Sequence, residues 1–368
     1  MTSDAAARRH PTQRIVVISA SIGAGHDGAA AELSRSLRAL GFTVDRHDFV
    51  DLLPRRAGVL LRGSYRRQLT AVPRTWGWLV ALAGMDRFAD RAAALTSIAD
   101  DATRAAIGTA AAAVVSTYPL ASQVLGRLRR HGRLAAPAVT YLTDMSVHPL
   151  WVADGVDVHL ALHADVARRA KELGAPDVRV IAPAVGPAFT DPSPTADRSR
   201  WGLPPTGPLA LIVAGAWGVG SVERASRDVA TTGLLTPVVA CGRNDALRRR
   251  LNRSGRTIAL GWVDDMAALM RCCRVVVQNA GGLSSLEALT AGVPVVTYRC
   301  LPGHGRDNAD ALERAGWVPW IRTPGALTLG LAQAMTAPWT FDPAPALPEA
   351  VLADLAGAHL ADLAATPS

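Results

Sequence analysis

The chain has 368 residues, of which 49% are hydrophobic and 19% charged. That excludes a disordered or fibrous protein and supplies enough apolar surface for two cores. A net charge of +8 and a pI near 10.1 point to anionic partners without choosing among nucleotide, nucleic acid and acidic lipid. Lys171 is the single lysine, so the richness in arginine reflects codon bias before function. Cys241, Cys272, Cys273 and Cys300 show no CxxC spacing and no disulfide framework, which suits a reducing compartment. No signal peptide is expected, and the longest apolar run, residues 75–85, is about half the ~20 residues of a spanning helix.

In chain order, residues 15–19 predict a strand, 28–40 a helix and 43–50 a second strand, a βαβ unit. Further strands are expected at 112–116, 138–144 and 158–162, with a helix over 164–173. Seven prolines between 183 and 208 interrupt the pattern and predict a linker. The alternation restarts with strands at 209–215, 237–240, 256–261, 274–282 and 293–298, each followed by a helix-like segment. One amphipathic helix is expected near 347–364. The fold class is therefore α/β, with two doubly wound domains in tandem, and such sheets bind ligands beyond the carboxyl ends of their strands. The boundaries read as 1–186, a linker over 187–208, 209–340 and a tail over 341–368.

Four segments carry chemistry. IVVISASIGAGHDG (15–28) is a strand-to-helix turn whose amides could take an anion, with Gly25 and His26 at its tip. YLTDMSVHPLW (141–151) places Asp144 just past a strand and His148 four residues on. AGAWGVGS (214–221) is a glycine loop, and NAGGLSSLEAL (279–289) brings Gly281, Gly282 and Ser284 to a helix N-terminus with Glu287 one turn inside. No Asp-x-Asp pair stands after a strand to hold a metal diphosphate.

Taken with GWVDDM (261–266) and LPGHGRDNADAL (301–312), these motifs, in this order, resemble the monogalactosyldiacylglycerol synthase family of GT-B glycosyltransferases. They are also similar, in the second half, to the peptidoglycan N-acetylglucosaminyltransferase that acts on a polyprenyl-linked acceptor. The resemblance covers roughly residues 14–335. It implies two Rossmann-like domains facing a central cleft, a UDP-sugar donor, inversion, no cofactor and no active-site metal. It also implies that the terminal helix crosses back to the first domain.

The same resemblance places Gly25, His26, Asp144 and His148 on the acceptor side, with His26 or Asp144 as the base and Asp144 alternatively orienting His26. Gly218 and Gly220 are expected near the diphosphate, Val263 at the uracil through its backbone, and Gly281, Gly282 and Ser284 at the phosphates. Glu287 is expected on the ribose, and His304 and Asn308 by the sugar. His304-Gly305 stands where galactolipid synthases have Gln-Glu, which puts galactose in doubt, and the Ser-to-His spacing in 146–148 is one residue shorter than in the family.

Residues 54–87 carry seven arginines and two tryptophans against one acid, the pattern of a segment lying on an anionic bilayer. The expected activity is hexose transfer from a UDP-sugar to a lipid hydroxyl, diacylglycerol ahead of a polyprenyl-linked sugar, at the inner face of a membrane. A transferase of soluble small molecules and a non-catalytic nucleotide-sugar or dinucleotide-binding protein stay open as alternatives. Nucleic acid is not expected, because the basic stretch lacks aromatic interleaving suited to stacking. The oligomeric state is not legible.

Overall fold

The structure, a computed structural model, describes residues 13–21, 24–54, 57–58, 96–191, 197–213, 215–336 and 341–365. The basic stretch 54–87 lies outside them except for residues 54, 57 and 58.

The first domain runs β1 (Arg14–Ser19), α1 (Ala24–Ala39), β2 (Thr43–Asp48), α2 (Phe49–Leu52), α3 (Asp100–Ile107), β3 (Ala111–Ser116) and α4 (Pro119–Arg130). It continues with β4 (Ala138–Tyr141), β5 (Val158–Ala161), α5 (Ala164–Glu172) and β6 (Val178–Val180). A short helix, α6 (Pro187–Thr190), and a 3-10 turn at Arg198–Trp201 lead into the second domain. There follow β7 (Leu209–Val213), α7 (Val222–Thr231), β8 (Thr236–Ala240), α8 (Asp245–Arg253), β9 (Ile258–Leu260) and α9 (Met266–Arg271). The domain closes with β10 (Val275–Gln278), α10 (Leu283–Thr290), β11 (Val295–Tyr298), α11 (His304–Arg314), β12 (Trp320–Ile321) and α12 (Leu327–Thr336). The tail forms α13 (Pro348–Ala365).

Each domain is one six-stranded sheet, ordered β2-β1-β3-β4-β5-β6 and β12-β11-β10-β7-β8-β9, with every pairing parallel. The order reverses between β1 and β3 in the first sheet and between β7 and β10 in the second, the crevices where such sheets hold ligands. Edge strands β6 and β12 were not expected, because runs of three and two residues show little alternation.

The continuous apolar runs of β1 and β7 are buried on both faces, and successive residues divide between two cores. Ile15 and Val17 join one cluster while Val16 and Ile18 join another. Leu209 and Leu211 join the first of these too, and Ala210 and Ile212 a third. The sheet faces turned toward each other thus share one apolar cluster, which runs from Ile15 through Leu286 to Val276. Helix α13 packs on β3 and α1, with Leu352 and Ala356 fully buried, and Ala182 N–H donates to Ala346 O at 2.7 Å.

The proline-rich stretch is less free than a linker. Arg271 Nη2 donates to the carbonyls of Ala188, Phe189 and Asp191 at 2.8, 3.1 and 2.6 Å, tying α6 to the second domain. Arg198 reaches Pro204 O, Gly207 O and Cys272 O at 3.1, 2.9 and 3.1 Å. Helix α1 begins at Ala24 rather than near residue 28, so His26 sits in its first turn.

Candidate active site

In the cleft the loop after β4 and the start of α1 meet the starts of α11 and α10. Asp27, in the first turn of α1, accepts from Ser19 Oγ at 2.9 Å and pairs with Arg46 at 2.7 Å, which fixes the helix start and suits its dipole. Thr117 Oγ1 donates to His26 O at 3.0 Å, linking this turn to the end of β3. His26 Nδ1 lies 2.7 Å from Thr143 Oγ1, and its ring meets Tyr118 edge-on at 5.5 Å and Trp151 at 5.8 Å. His26 is therefore oriented by a hydrogen bond shared between its Nδ1 and Thr143 Oγ1, in a direction set by the tautomer, and not by one to Asp144. Thr143 went unread in the sequence because only the fold carries the end of β4 to α1.

Asp144 is buried beside this pair and accepts from Trp151 Nε1 at 3.3 Å. Trp151 is placed by α4, whose Gln123 Nε2 donates to Leu150 O and Val152 O at 2.9 and 3.1 Å. A Cβ on Gly126 would lie 2.4 Å from Asp154 O, so α4 meets this loop backbone to backbone. His148 stacks near Trp151 at 6.2 Å, and its Nδ1 has no hydrogen-bond partner among the described residues.

From the other domain, His304 Nε2 stands 3.6 Å from Asp144 Oδ1. Three imidazoles, His26, His148 and His304, thus surround one carboxylate. Burial alone would raise the Asp144 carboxyl, but these three rings and the indole N–H outweigh it and hold it below its ordinary range. Burial pushes His26 below the usual imidazole range against the pull of Asp144, and pushes His148 down to about 4. His26 is therefore neutral at pH 7 and able to accept a proton, beside a carboxylate that stays ionised.

Asn308, expected at the sugar, is fully buried and committed elsewhere. Its Oδ1 accepts from Ser146 N–H and Ser146 Oγ at 2.8 Å each, and its Nδ2 donates to Ala280 O at 3.1 Å. In this closed arrangement it is a tie between domains. Gly281 also departs from expectation, because its N–H donates to Gln278 Oε1 and is not open to a phosphate. Its φ of +72° and the 2.7 Å from a Cβ there to Asn308 Cβ explain the glycine: α11 packs against it. Gly282 precedes α10 with no side-chain cap, leaving the helix N-terminus at Leu283 and Ser284 open to an anion.

Glu287, half-buried one turn into α10, has its carboxyl raised to about 7 by burial and then by Glu32 of α1, against a hydrogen bond from Ser284. The loop after β7 folds tightly: Cβ atoms on Gly218 and Gly220, both at positive φ, would meet Asn244 Cβ at 2.8 Å and Asn279 Nδ2 at 2.6 Å. Val263 packs against the shared core, beside the exposed Trp262, over which Arg243 lies at 4.9 Å. On the acceptor side Gly25 lies 4.0 Å from Leu283 by its would-be Cβ, and Gly28 only 2.5 Å from Leu283 Cδ2, so α10 rests on a glycine-paved face of α1. Asp48 caps α2 by accepting from Val50 N–H at 3.0 Å.

Residues 26–183, which hold His26, Asp144 and His148, match the monogalactosyldiacylglycerol (MGDG) synthase family. That match lies within the N-terminal domain and takes in less than half of the chain. Among curated proteins the chain is similar to the processive diacylglycerol beta-glucosyltransferase of Bacillus subtilis, 27% identical over 212 residues, which is 55% of each chain. It thus spans about half the length of the curated relatives it matches. Among solved structures it is similar to MurG of Acinetobacter baumannii (16% identical, TM-score 0.53, covering 95% of this chain and 100% of that one). It is similar too to sucrose-phosphate synthase from Thermosynechococcus elongatus (15% identical, TM-score 0.59, covering 96% and 100%). At that identity the likeness establishes the GT-B fold. No helix among the described residues is long and apolar enough to cross a membrane.

Proposed function

We propose that this MGDG synthase relative is an inverting hexosyltransferase that moves a sugar from a UDP-sugar to a diacylglycerol hydroxyl. The observation that carries the reading is the neutral His26 beside the ionised Asp144, facing an open helix N-terminus and a glycine loop across the cleft. His26 takes the acceptor proton at Nε2, its Nδ1 being held by Thr143, and Asp144 stabilises the imidazolium that forms. The acceptor oxygen then attacks the anomeric carbon as the UDP diphosphate leaves. Amides at the start of α10 and in the 215–220 loop stabilise the charge on that leaving group. Glu287 accepts from the ribose hydroxyls and the backbone at Val263 meets the uracil.

The family match over 26–183 supports the acceptor half of this reading, and the curated relatives' diacylglycerol glucosyltransferase activity supports glucose. His304-Gly305 in place of Gln-Glu counts against galactose. The basic stretch 54–87 would rest on an anionic bilayer and bring the site to its lipid.

The deciding experiment is a thermal-shift titration with UDP, UDP-glucose, UDP-galactose, UDP-N-acetylglucosamine and NAD, repeated on Glu287→Ala. Transfer of labelled glucose to diacylglycerol in anionic vesicles follows. Stabilisation of about 2.7 kcal/mol by a uridine nucleotide at 100 times its Kd, lost in the variant, is expected. A response to NAD alone, or to no nucleotide, would reject the transferase.

A further inference from the structure

His304 is the second domain's contribution to the acid–base centre, and its surroundings limit what it can do. It opens α11 directly after Gly303, whose φ is +73°. The next position, Gly305, is buried, and a Cβ there would lie 2.9 Å from both Asn279 O and Leu301 Cβ. No side chain fits at 305, so in this turn His304 approaches Asp144 while Asp307 lines the cleft beside Met145 and Ser146. Its Nε2 has two neighbours that make opposite demands: Asn308 Nδ2 at 3.3 Å is a donor, and Asp144 Oδ1 at 3.6 Å is an acceptor. Without a proton Nε2 accepts from Asn308. With one, it turns its charge to Asp144.

We propose that His304 is a positioning residue that completes the catalytic centre on domain closure, bringing to Asp144 a partner carried by the opposite domain. The inference rests on the transferase reading above. The Asn308–Ser146 bonds put His304 in register with Asp144, because Asn308 lies one turn along the same helix and Ser146 two residues past the carboxylate. When the domains part, both contacts go together, and Asp144 keeps only the groups of its own domain: the Trp151 indole and the rings of His26 and His148. Among the described residues His304 also interacts with Asp307 on its own helix and with the rings of His26 and His148 across the cleft. A base centre assembled only in the closed state would not act on water before both substrates are enclosed.

Two measurements test this on the full chain. The first does not need activity: the His304 imidazole signal, assigned by its loss in His304→Gln, is compared by NMR at one pH in the wild type and in Asp144→Asn. Loss of the opposing carboxylate 3.6 Å away is expected to move that signal. An unmoved signal overturns the contact, whatever the fate of the transferase reading, which nucleotide binding decides separately.

The second measurement is the pH profile of glucose transfer. His304→Ala is expected to lower kcat by about 10- to 100-fold while leaving the donor KM within about threefold. The acid limb should move to higher pH, because His304 is among the groups that hold His26 and Asp144 below their ordinary ranges. His304→Gln, which restores a donor but no charge, should recover part of kcat and leave the acid limb displaced. A defect confined to the donor KM would assign His304 to sugar recognition and overturn the proposal.

Discussion

At the scale of single residues, the cleft holds ionisable groups whose environments push them apart. His26 is pushed down by burial, so it stays neutral as pH falls below the ordinary imidazole range. On the proposed mechanism, kcat/KM should hold down to a midpoint below 6.5, and His26→Ala should lower kcat by about 10²- to 10⁴-fold at every pH. A rate profile with the same acid limb in that variant would remove His26 from the role. Glu287 behaves in the opposite sense. With its carboxyl raised to about 7, the charged form that can accept from two ribose hydroxyls is complete only above neutrality. Calorimetric titration with UDP should therefore show affinity rising between pH 6 and 8, and Glu287→Gln should abolish that slope. His26, Asp144 and Glu287 were legible in the sequence because each sits in a short motif at the end of a strand. Thr143 was not, since nothing in its neighbours distinguishes a ligand of His26 from an ordinary strand threonine.

At the scale of elements, the loop that carries Asp144 is held by α4, and α4 is held by a buried ion pair. Arg127 lies against Asp100 through Nε at 2.9 Å and Nη2 at 2.5 Å, with both side chains largely buried. Arg127→Ala leaves that carboxylate uncompensated and should cost about 3–5 kcal/mol, read as a lowered Tm or denaturation midpoint. Asp100→Asn with Arg127→Met should recover much of it, because a neutral pair removes the stranded charge.

Strand β5 carries a second liability. His159 is fully buried, neither ring nitrogen has a hydrogen-bond partner among the described residues, and burial lowers its pKa to about 4 despite Asp177. The unfolded imidazole takes a proton near 6.5, whereas the folded one waits until about 4. Stability present above 6.5 is thus lost as pH falls from 6.5 to 4, by about 3 kcal/mol at 1.36 kcal/mol per pKa unit. Melts at pH 7 and pH 4.5 check this: His159→Leu should flatten the pH slope, and an unaltered slope would put the acid sensitivity elsewhere.

At the scale of the whole molecule, the two sheets are joined by one apolar cluster, by α13 and by the contacts that close the cleft. Closure depends on glycine at two levels. Gly281 lets α11 pack close enough to set Asn308 at the cleft, and Gly28 receives Leu283. Alanine at 28 would meet only the movable tip of Leu283, but Gly28→Trp has no such escape. It should hold the domains apart, enlarge the radius of gyration in small-angle scattering and weaken transfer more than UDP binding. Unchanged scattering would mean that Leu283 turns aside and that the glycine face is not a closure contact.

The sequence by itself determined the α/β class, the tandem doubly wound domains and most strand positions, because buried parallel strands must be continuous apolar runs and the turns after them need small residues. It also marked His26, Asp144, His148, His304 and Asn308, through the local character of their motifs. What it could not determine is which of these meet. Asn308 and His304 read as sugar contacts, yet here they bond to Ser146 and approach Asp144, 162 and 160 residues away in the chain. Gly281 reads as a phosphate amide, yet serves helix packing. Such pairings arise from the angle at which two independently folded sheets close on each other, set by a shared core and by side-chain ties across the cleft. No local propensity encodes that angle, so only the tertiary structure decides it.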